Sequence, residues 1–123
     1  MGVSRALKEA GCKARIVALE PASSPVLTTG KGGPHRVEGI AAGFRPPHSK
    51  EGEYDEVRTV EEGAAREMAR RLAKEEGIFA GTSTGLNITA ALQLAQEVGR
   101  GSTVATVAVD TGFKYLARDL FRE

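Results

Sequence analysis

Two largely apolar runs of strand length constrain the fold of this 123-residue chain more than any other sequence feature. The first covers residues 14–19 and closes at Glu20 and Pro21, and the second covers residues 103–109. Runs with little polar alternation are typical of strands buried on both faces of a parallel sheet. Segments with helical spacing separate the runs, so the sequence predicts an α/β fold with an open, mostly parallel sheet flanked by helices.

Two helices are predicted from the spacing of apolar residues in the first half of the chain and just beyond it. The first covers residues 2–10 and ends at Gly11, a residue type that commonly follows a helix. The second begins at a capping box formed by Thr59 and Glu62 and ends at Gly77. Its buried face is predicted to carry four apolar side chains, namely Val60, Ala64, Met68 and Leu72.

The remaining elements continue the alternation of strands and helices. Residues 54–58 are predicted to form a short edge strand, and residues 78–80 a second short strand that leads into the turn at 81–85. A helix follows over residues 86–98, and another follows the turn at 110–112. This last helix is predicted to contain Tyr115, Leu116, Leu120 and Phe121.

The charge balance excludes several classes of partner. Lysine and arginine total 17 against 16 aspartate and glutamate residues, which gives a formal net charge of +1. With 41% apolar residues, the composition predicts neither disorder nor binding to nucleic acid. Two pairs at i, i+4 spacing, Glu62 with Arg66 and Glu67 with Arg71, indicate a solvated helix face instead of a patch that binds polyanions.

Cysteine and histidine are too few for a disulfide or a zinc site. Cys12 is the only cysteine, and His35 and His48 are the only histidines, so we predict no metal site. No apolar run approaches the length that crosses a bilayer, and the first residues lack the apolar core of a signal peptide. The sequence therefore predicts a cytoplasmic protein without a membrane partner.

The turn at residues 81–85 is the first candidate site, because ligands gather at the carboxyl ends of parallel strands. One interpretation is purely structural: Gly81 and Gly85 permit the turn, and Ser83 or Thr84 caps the next helix. A second interpretation follows from the match to G-x-S-x-G, the nucleophile turn of α/β-hydrolases, in which Ser83 would be acylated. That mechanism needs a histidine after the serine, whereas both histidines here precede it, so the hydrolase remains the weaker alternative.

Three segments resemble the cysteine synthase family, enzymes that use pyridoxal 5'-phosphate (PLP) to replace a β-substituent of an amino acid. The first is residues 17–27, continuing through 33–44, which looks like the family's long loop beside the cofactor. The second, residues 76–85, is Glu-Gly-Ile-Phe-Ala-Gly-Thr-Ser-Thr-Gly, and the third, residues 110–116, is Asp-Thr-Gly-Phe-Lys-Tyr-Leu. The resemblance extends over nearly the whole chain and implies the large domain of PLP fold type II.

The resemblance implies cofactor-binding roles for Ser83, Gly81 and Gly39. The family serine that matches Ser83 donates a hydrogen bond to the pyridine nitrogen of PLP. A neutral hydroxyl does not keep that nitrogen protonated as a carboxylate does, so the ring is a weaker electron sink, which suits elimination of a β-substituent. Gly39 matches a family glycine whose backbone lies close to the cofactor, with an ordinary loop glycine as the alternative.

Two residues depart from the family pattern. Ala41 stands where many members have a second glycine, and Val109 stands where many have a proline before the Asp-x-Gly turn. The first lies in the substrate loop, so the choice among O-acetylserine, O-phosphoserine, serine and threonine stays open. Asp110 is expected to cap the final helix and is not assigned a catalytic role.

The family's chemistry depends on a lysine, an asparagine and a glycine-rich phosphate loop, all of which precede the matched region. No lysine here sits in the family's lysine motif, so no catalytic residue is assigned. Residues 1–123 are therefore expected to be an incomplete C-terminal PLP-binding domain of a homodimeric enzyme that acts on an amino acid. We expect the chain to be inert and free of PLP on its own. The alternative is a non-catalytic binding or assembly domain, because the two apolar runs need covering on both faces.

Overall fold

The computed structural model describes residues 1–40, 42–50 and 52–122. In chain order its elements are α1 (Gly2–Glu9), β1 (Val17–Pro21), α2 (Val26–Thr29), β2 (Glu56–Val60), α3 (Glu62–Arg71), a π-helical turn (Leu72–Glu76), α4 (Thr82–Val98) and a 3₁₀ turn (Gly112–Tyr115). Within the described ranges, no helix is both long enough and apolar enough to cross a membrane.

The two strands form a parallel pair, which confirms the predicted α/β arrangement. Val17 lies opposite Glu56, and Pro21 lies opposite Val60. β1 starts later than the apolar run that predicted it and extends through Pro21, which the sequence had placed beyond the strand. The first three residues of β1 remain partly exposed, so the prediction of burial on both faces is wrong for this part of the strand.

Two other predicted strands are wrong for the described residues. Residues 78–80 contribute a single antiparallel bridge from Ala80 to Thr111. Residues 103–109 form no strand, and Val107 in their middle is 62% exposed. A strand needs a neighbour for its backbone hydrogen bonds, and β1 and β2 pair only with each other in the described part of the chain. The apolar composition of these two segments was therefore not enough to form strands without a neighbouring strand to pair with.

Helix α3 starts at a different residue from the one that the capping box indicated. Thr59 lies in β2, and the N-cap is Glu61, whose side chain forms no capping hydrogen bond. The predicted capping box is therefore wrong. The buried positions of the helical segment are Ala65, Ala69 and Leu72, in place of the face that contained Ala64 and Met68. The end at Gly77 is confirmed, because this residue has φ +67° and closes the π-helical turn.

The charged residues of α3 form other pairs than the ones predicted at i, i+4 spacing. Arg66 pairs with Asp119 at 3.0 Å, and Arg70 pairs with Glu67 at 3.2 Å. Arg71 reaches Glu75 at 2.8 Å. The pairing of Arg66 with Asp119 ties α3 to the end of the chain, which helical spacing does not reveal.

The core lies where α3 crosses α4 above the sheet. One cluster of buried residues comprises Val37, Val60, Ala65, Leu86 and Ala90, with Leu19 and Ile40 packed against it. The crossing is close: a Cβ atom on Gly85 would lie 1.9 Å from the Ala65 carbonyl oxygen. Gly85 is therefore required by helix packing, whereas the sequence interpretation gave it a role only in the turn.

The predicted last helix is replaced by the 3₁₀ turn and by further turns up to residue 121. Thr111 is the N-cap of the 3₁₀ turn, and its Oγ1 accepts a hydrogen bond from the Phe113 N–H at 3.3 Å. The expectation that Asp110 caps this element is therefore wrong. Tyr115 and Leu120 are still buried, and they form a second cluster with Ala69.

Candidate functional site

The site predicted at the 81–85 turn is the first turn of α4. Gly81 is the N-cap of this 17-residue helix, with no side-chain capping bond, so capping by Ser83 or Thr84 is wrong. Thr84 is fully buried, and its Oγ1 accepts a hydrogen bond from the Val109 N–H at 2.9 Å. These contacts hold the start of α4 against the segment that carries the third family-like motif.

Two hydroxyl groups of this turn have no hydrogen-bond partner among the described residues. Ser83 is 6% exposed, and its Oγ has no hydrogen-bond partner within residues 1–40, 42–50 and 52–122. Thr82 is 1% exposed, and its buried Oγ1 also lacks a partner in the described chain. Buried hydroxyls are normally paired, so Thr82 Oγ1 leaves one hydrogen bond unmade inside the turn. The Ser83 Oγ is not among the buried unpartnered atoms, so it is the hydroxyl that a polar group at the positive end of α4 would meet.

Gly81 has no space for a side chain. A Cβ atom on this residue would lie 2.4 Å from Cε2 of Tyr115 and 2.6 Å from Oδ1 of Asp110. The turn glycine therefore lets the tyrosine ring and the carboxylate pack directly on the backbone at the start of α4. Sequence reasoning missed these two neighbours, because residues 81 and 110–115 meet only through the tertiary fold.

Asp110 and Tyr115 are joined by a hydrogen bond, which the Tyr115 hydroxyl donates to Oδ2 of Asp110 at 2.5 Å. Burial of the phenol, with smaller effects from this bond and from the negative charge of Asp110, raises the pKa of Tyr115 to about 12. Lys114 Nζ lies 3.8 Å from the same carboxylate oxygen. The other oxygen, Oδ1, is buried and has no hydrogen-bond partner among the described residues.

Gly39 lies in a loop that packs beside α4. Its φ is +83°, a conformation that favours glycine, and no other atom lies within 4 Å of a Cβ built on it. Val37 and Ile40 on either side of it belong to the same apolar cluster as Leu86. The loop therefore lies near the first turns of α4, whereas its approach to a cofactor stays a prediction. Ala41, noted above as a departure from the family, lies outside the described residues.

Glu20 fixes the start of this long loop. It is 3% exposed, and its carboxylate accepts hydrogen bonds from the Leu27 N–H at 2.6 Å and from the Thr28 N–H at 3.1 Å. The sequence signal was a charged residue at the end of an apolar strand, which sequence reasoning did not assign a role. Such a buried carboxylate is stabilised by its backbone donors.

The two histidines do not build a hydrolase site in the described chain. His35 Nδ1 accepts a hydrogen bond from the Val37 N–H at 3.3 Å, within its own loop. The His48 carbonyl accepts a bond from Arg5 at 3.4 Å, and no described hydrogen bond joins either histidine to Ser83. The geometry therefore does not supply the base that an acylated serine requires.

Residues 1–110 match the sequence family described as pyridoxal-phosphate dependent enzymes. The chain belongs to this family. It is 47% identical over 120 residues to the cysteine synthase of Staphylococcus aureus, and the match covers 98% of this chain and 39% of that enzyme. It is 39% identical to the O-ureido-L-serine synthase of Streptomyces lavendulae, covering 98% of this chain and 37% of that protein.

Solved structures agree with the sequence matches. The cysteine synthase of Entamoeba histolytica superposes with a TM-score of 0.94 at 36% identity, covering 99% of this chain and 36% of that one. A hydrogen sulfide-producing enzyme of Fusobacterium nucleatum superposes with a TM-score of 0.90 at 42% identity, covering 100% of this chain and 37% of that one. The resemblance to cysteine synthases and to fold type II is thus confirmed, and the chain spans less than two fifths of the length of these relatives.

The residues present fit one edge of PLP. Ser83 offers a hydroxyl without a described hydrogen bond at a helix N-terminus, and Gly39 leaves its own backbone open because no atom lies within 4 Å of its Cβ position. None of the six lysines is buried near Ser83, since all six are exposed, so no lysine is assigned to the covalent bond with PLP. The fit therefore concerns the ring side of the cofactor only.

Proposed function

We propose that this chain forms the pyridine-ring side of the PLP site in a cysteine synthase-like enzyme that performs β-replacement on an activated serine. The observation that carries the proposal is the Ser83 hydroxyl. It is nearly buried and unpartnered at the start of α4, in a chain that is 47% identical to a cysteine synthase. We also propose that the enzyme acts on an amino acid, forms a homodimer and is cytoplasmic, as the sequence suggested.

In this proposal Ser83 Oγ donates a hydrogen bond to the ring nitrogen. PLP, when bound, supplies an electron sink for the carbon skeleton of the amino acid. A hydroxyl donor leaves the nitrogen largely unprotonated, so Ser83 limits the strength of that sink and favours departure of a β-substituent. The backbones of Gly81 and Gly39 are proposed to lie along the cofactor. The Cβ position of Gly39 is open, whereas that of Gly81 is filled by Tyr115 and Asp110, so Gly81 would face the cofactor with the other side of its backbone.

The isolated chain is proposed to be inert. All six lysines are exposed, and no motif for a phosphate loop was found in the sequence. Phosphate contacts are strong, charge-assisted hydrogen bonds, so their absence should leave binding of free PLP weak. After addition of one equivalent of PLP and borohydride, the label found by mass spectrometry should be substoichiometric and spread over the exposed lysines, and stoichiometric attachment at one lysine would contradict the inertness.

A chimera tests the proposed function of Ser83. The chain would replace the matching part of the Staphylococcus aureus cysteine synthase, and the product would be assayed for PLP absorbance and for cysteine formation from O-acetylserine and sulfide. We expect the chimera to bind PLP, and we expect Ser83→Ala to shift the absorption band and to lower turnover. Ser102→Ala is the matched control, because Ser102 is exposed and bonds only weakly to the Val98 carbonyl at 3.5 Å. A Ser83→Ala chimera with an unchanged spectrum and unchanged turnover would refute the proposal.

The second candidate, an assembly domain, is favoured by one apolar groove. A cleft of about 440 Å³ lies between α1, β1, the end of α4 and residues 102–107. Val3 at its edge is 69% exposed, and Val98 is 40% exposed. Exposed apolar surfaces of this kind mark association sites. Light scattering after size-exclusion chromatography should then show a dimer or a larger species, and a monomer with low binding of a hydrophobic dye would contradict this candidate.

A further inference from the structure

The segment that follows residue 108 holds the start of α4 at several points. The Gly112 N–H donates to the Phe79 carbonyl at 2.9 Å, and Ala80 forms a bridge with Thr111. The Val109 N–H donates to Thr84 Oγ1 at 2.9 Å. Contacts with this segment therefore hold the backbone both before and after Ser83. Residues 110–115 also supply the side chains that pack on Gly81.

Asp110 and Tyr115 are the two side chains that pack on Gly81. Both lie so close to Gly81 that a methyl group there would overlap with Oδ1 of Asp110 and with the ring of Tyr115. Tyr115 is 7% exposed, and its hydroxyl is bonded to Oδ2 of Asp110, so the two side chains hold each other in place. Two rigidly packed groups therefore support the backbone two residues before Ser83.

The charge of Asp110 adds to this support. Oδ1 is buried beside the N-cap of a 17-residue helix, where the helix dipole stabilises negative charge. The described residues provide no hydrogen-bond donor to this oxygen. The Tyr115 hydroxyl and Lys114 contact the other oxygen, Oδ2, whereas Oδ1 lies against Gly81, so loss of the carboxylate charge should alter the first turn of α4.

We propose that Asp110 and Tyr115 are positioning residues for Ser83: by packing on the bare backbone of Gly81 they fix the first turn of α4 and the direction of the Ser83 hydroxyl. The proposal rests on the role of Ser83 given under the proposed function. It differs from the sequence expectation, in which Asp110 would cap the final helix.

Amide hydrogen exchange of the 123-residue chain, followed by NMR, tests the positioning directly and without cofactor. The amides of Thr84 and Gly85 both bond to the Gly81 carbonyl, at 3.1 and 3.2 Å, so their exchange reports on the first turn. Asp110→Asn keeps the shape and removes the charge, and Tyr115→Phe keeps the ring and removes the hydroxyl. Each should speed the exchange of these two amides about tenfold, the effect of one hydrogen bond to a charged group.

Two references separate positioning from general destabilisation. The Ala65 amide, which bonds to the Glu61 carbonyl at 3.0 Å in α3, should keep its exchange rate. Asp119→Asn removes another acidic group near the end of the chain, one that pairs with Arg66, and it should leave Thr84 and Gly85 unchanged. Unchanged exchange in the Asp110→Asn and Tyr115→Phe variants would overturn the proposal. Equal acceleration at Ala65, or no protection of these amides in the unmodified chain, would do so as well.

The chimera provides a spectroscopic readout that distinguishes failure of this proposal from failure of the proposed function. Asp110→Asn should shift the absorption band of bound PLP in the same direction as Ser83→Ala, and Asp119→Asn should not. A shift with Ser83→Ala alone would overturn the positioning role and leave the proposed function standing. If Ser83→Ala has no effect, the proposed function fails, and the exchange rates alone still decide whether Asp110 and Tyr115 fix the turn.

Discussion

Replacing Gly85 by alanine should destabilise the fold, although alanine is the better helix former. The new Cβ atom would lie 1.9 Å from the Ala65 carbonyl oxygen and 2.9 Å from the Ala69 nitrogen. Real Cβ atoms essentially never come closer than 3.0 Å, so α3 and α4 must separate by at least about 1 Å at their crossing. Neither obstacle is a flexible side chain end, so the strain cannot be relieved by a rotamer change.

The size of the effect follows from two opposing contributions. Forcing extra atoms into a packed crossing costs about 1–3 kcal/mol or more. The gain in helix propensity from glycine to alanine is about 1 kcal/mol. Gly63→Ala supplies the matched control, because Gly63 lies in α3 with nothing within 4 Å of its Cβ position and gains the propensity alone. The propensity gain is common to both variants, so their free energies of unfolding should differ by the packing cost, about 1–3 kcal/mol.

Urea unfolding followed by circular dichroism measures this difference. With a slope of about 1.5 kcal/mol per M for a small domain, the midpoints of the two variants should differ by about 1–2 M. Gly63→Ala should unfold at or above the urea concentration of the unmodified chain, and Gly85→Ala should unfold below it. If Gly85→Ala were as stable as Gly63→Ala, the close crossing of α3 and α4 would be refuted.

Three further predictions concern the surroundings of Ser83. Thr84→Val keeps the shape of the side chain but removes the acceptor for the Val109 N–H, and it should cost about 1–3 kcal/mol in urea unfolding, so an unchanged midpoint would contradict the bond. Burial, with help from Asp110, raises the pKa of Tyr115 to about 12 from 10.0, so the stabilisation from the neutral phenol is complete below pH 10 and is lost as the pH rises toward 12. Urea midpoints over this range should fall more steeply for the unmodified chain than for Tyr115→Phe, and equal slopes would argue against the shift. Ser83 should not react with a fluorophosphonate, and stoichiometric labelling found by mass spectrometry would favour the hydrolase alternative.

Sequence patterns predicted correctly those helix positions that depend only on neighbouring residues. The helix over residues 2–10 is confirmed as Gly2–Glu9, and the end at Gly77 is confirmed because a residue with positive φ follows the helical segment. The capping box failed because Thr59 is used in β2, and the buried residues of α3 are Ala65 and Ala69, each one position after the predicted Ala64 and Met68. Competition between a strand and a helix for one residue is a tertiary matter, so helix signals alone could not resolve it.

The strand predictions failed for another reason. Residues 103–109 have the composition of a buried strand, yet Val107 and Val109 are 62% and 57% exposed. Composition reports that a segment is suited to a sheet interior, whereas pairing depends on a neighbouring strand. The described chain corresponds to less than two fifths of its relatives, so a segment can carry such a composition without its partner being among these residues.

The proposed ring side of the PLP site, unlike the sheet, is formed by contacts between segments that all lie within this chain. Ile40 of the first family-like segment packs in the cluster of Leu86, just after the second segment, and Asp110 of the third segment lies against Gly81 of the second. Each contact joins residues far apart in sequence but present in the same chain. The surroundings of Ser83 therefore depend on tertiary packing that these residues supply themselves, whereas β1 and β2 pair with no further strand among the described residues. A substitution of Asp110 should consequently alter the position of Ser83 even when no partner binds the apolar groove.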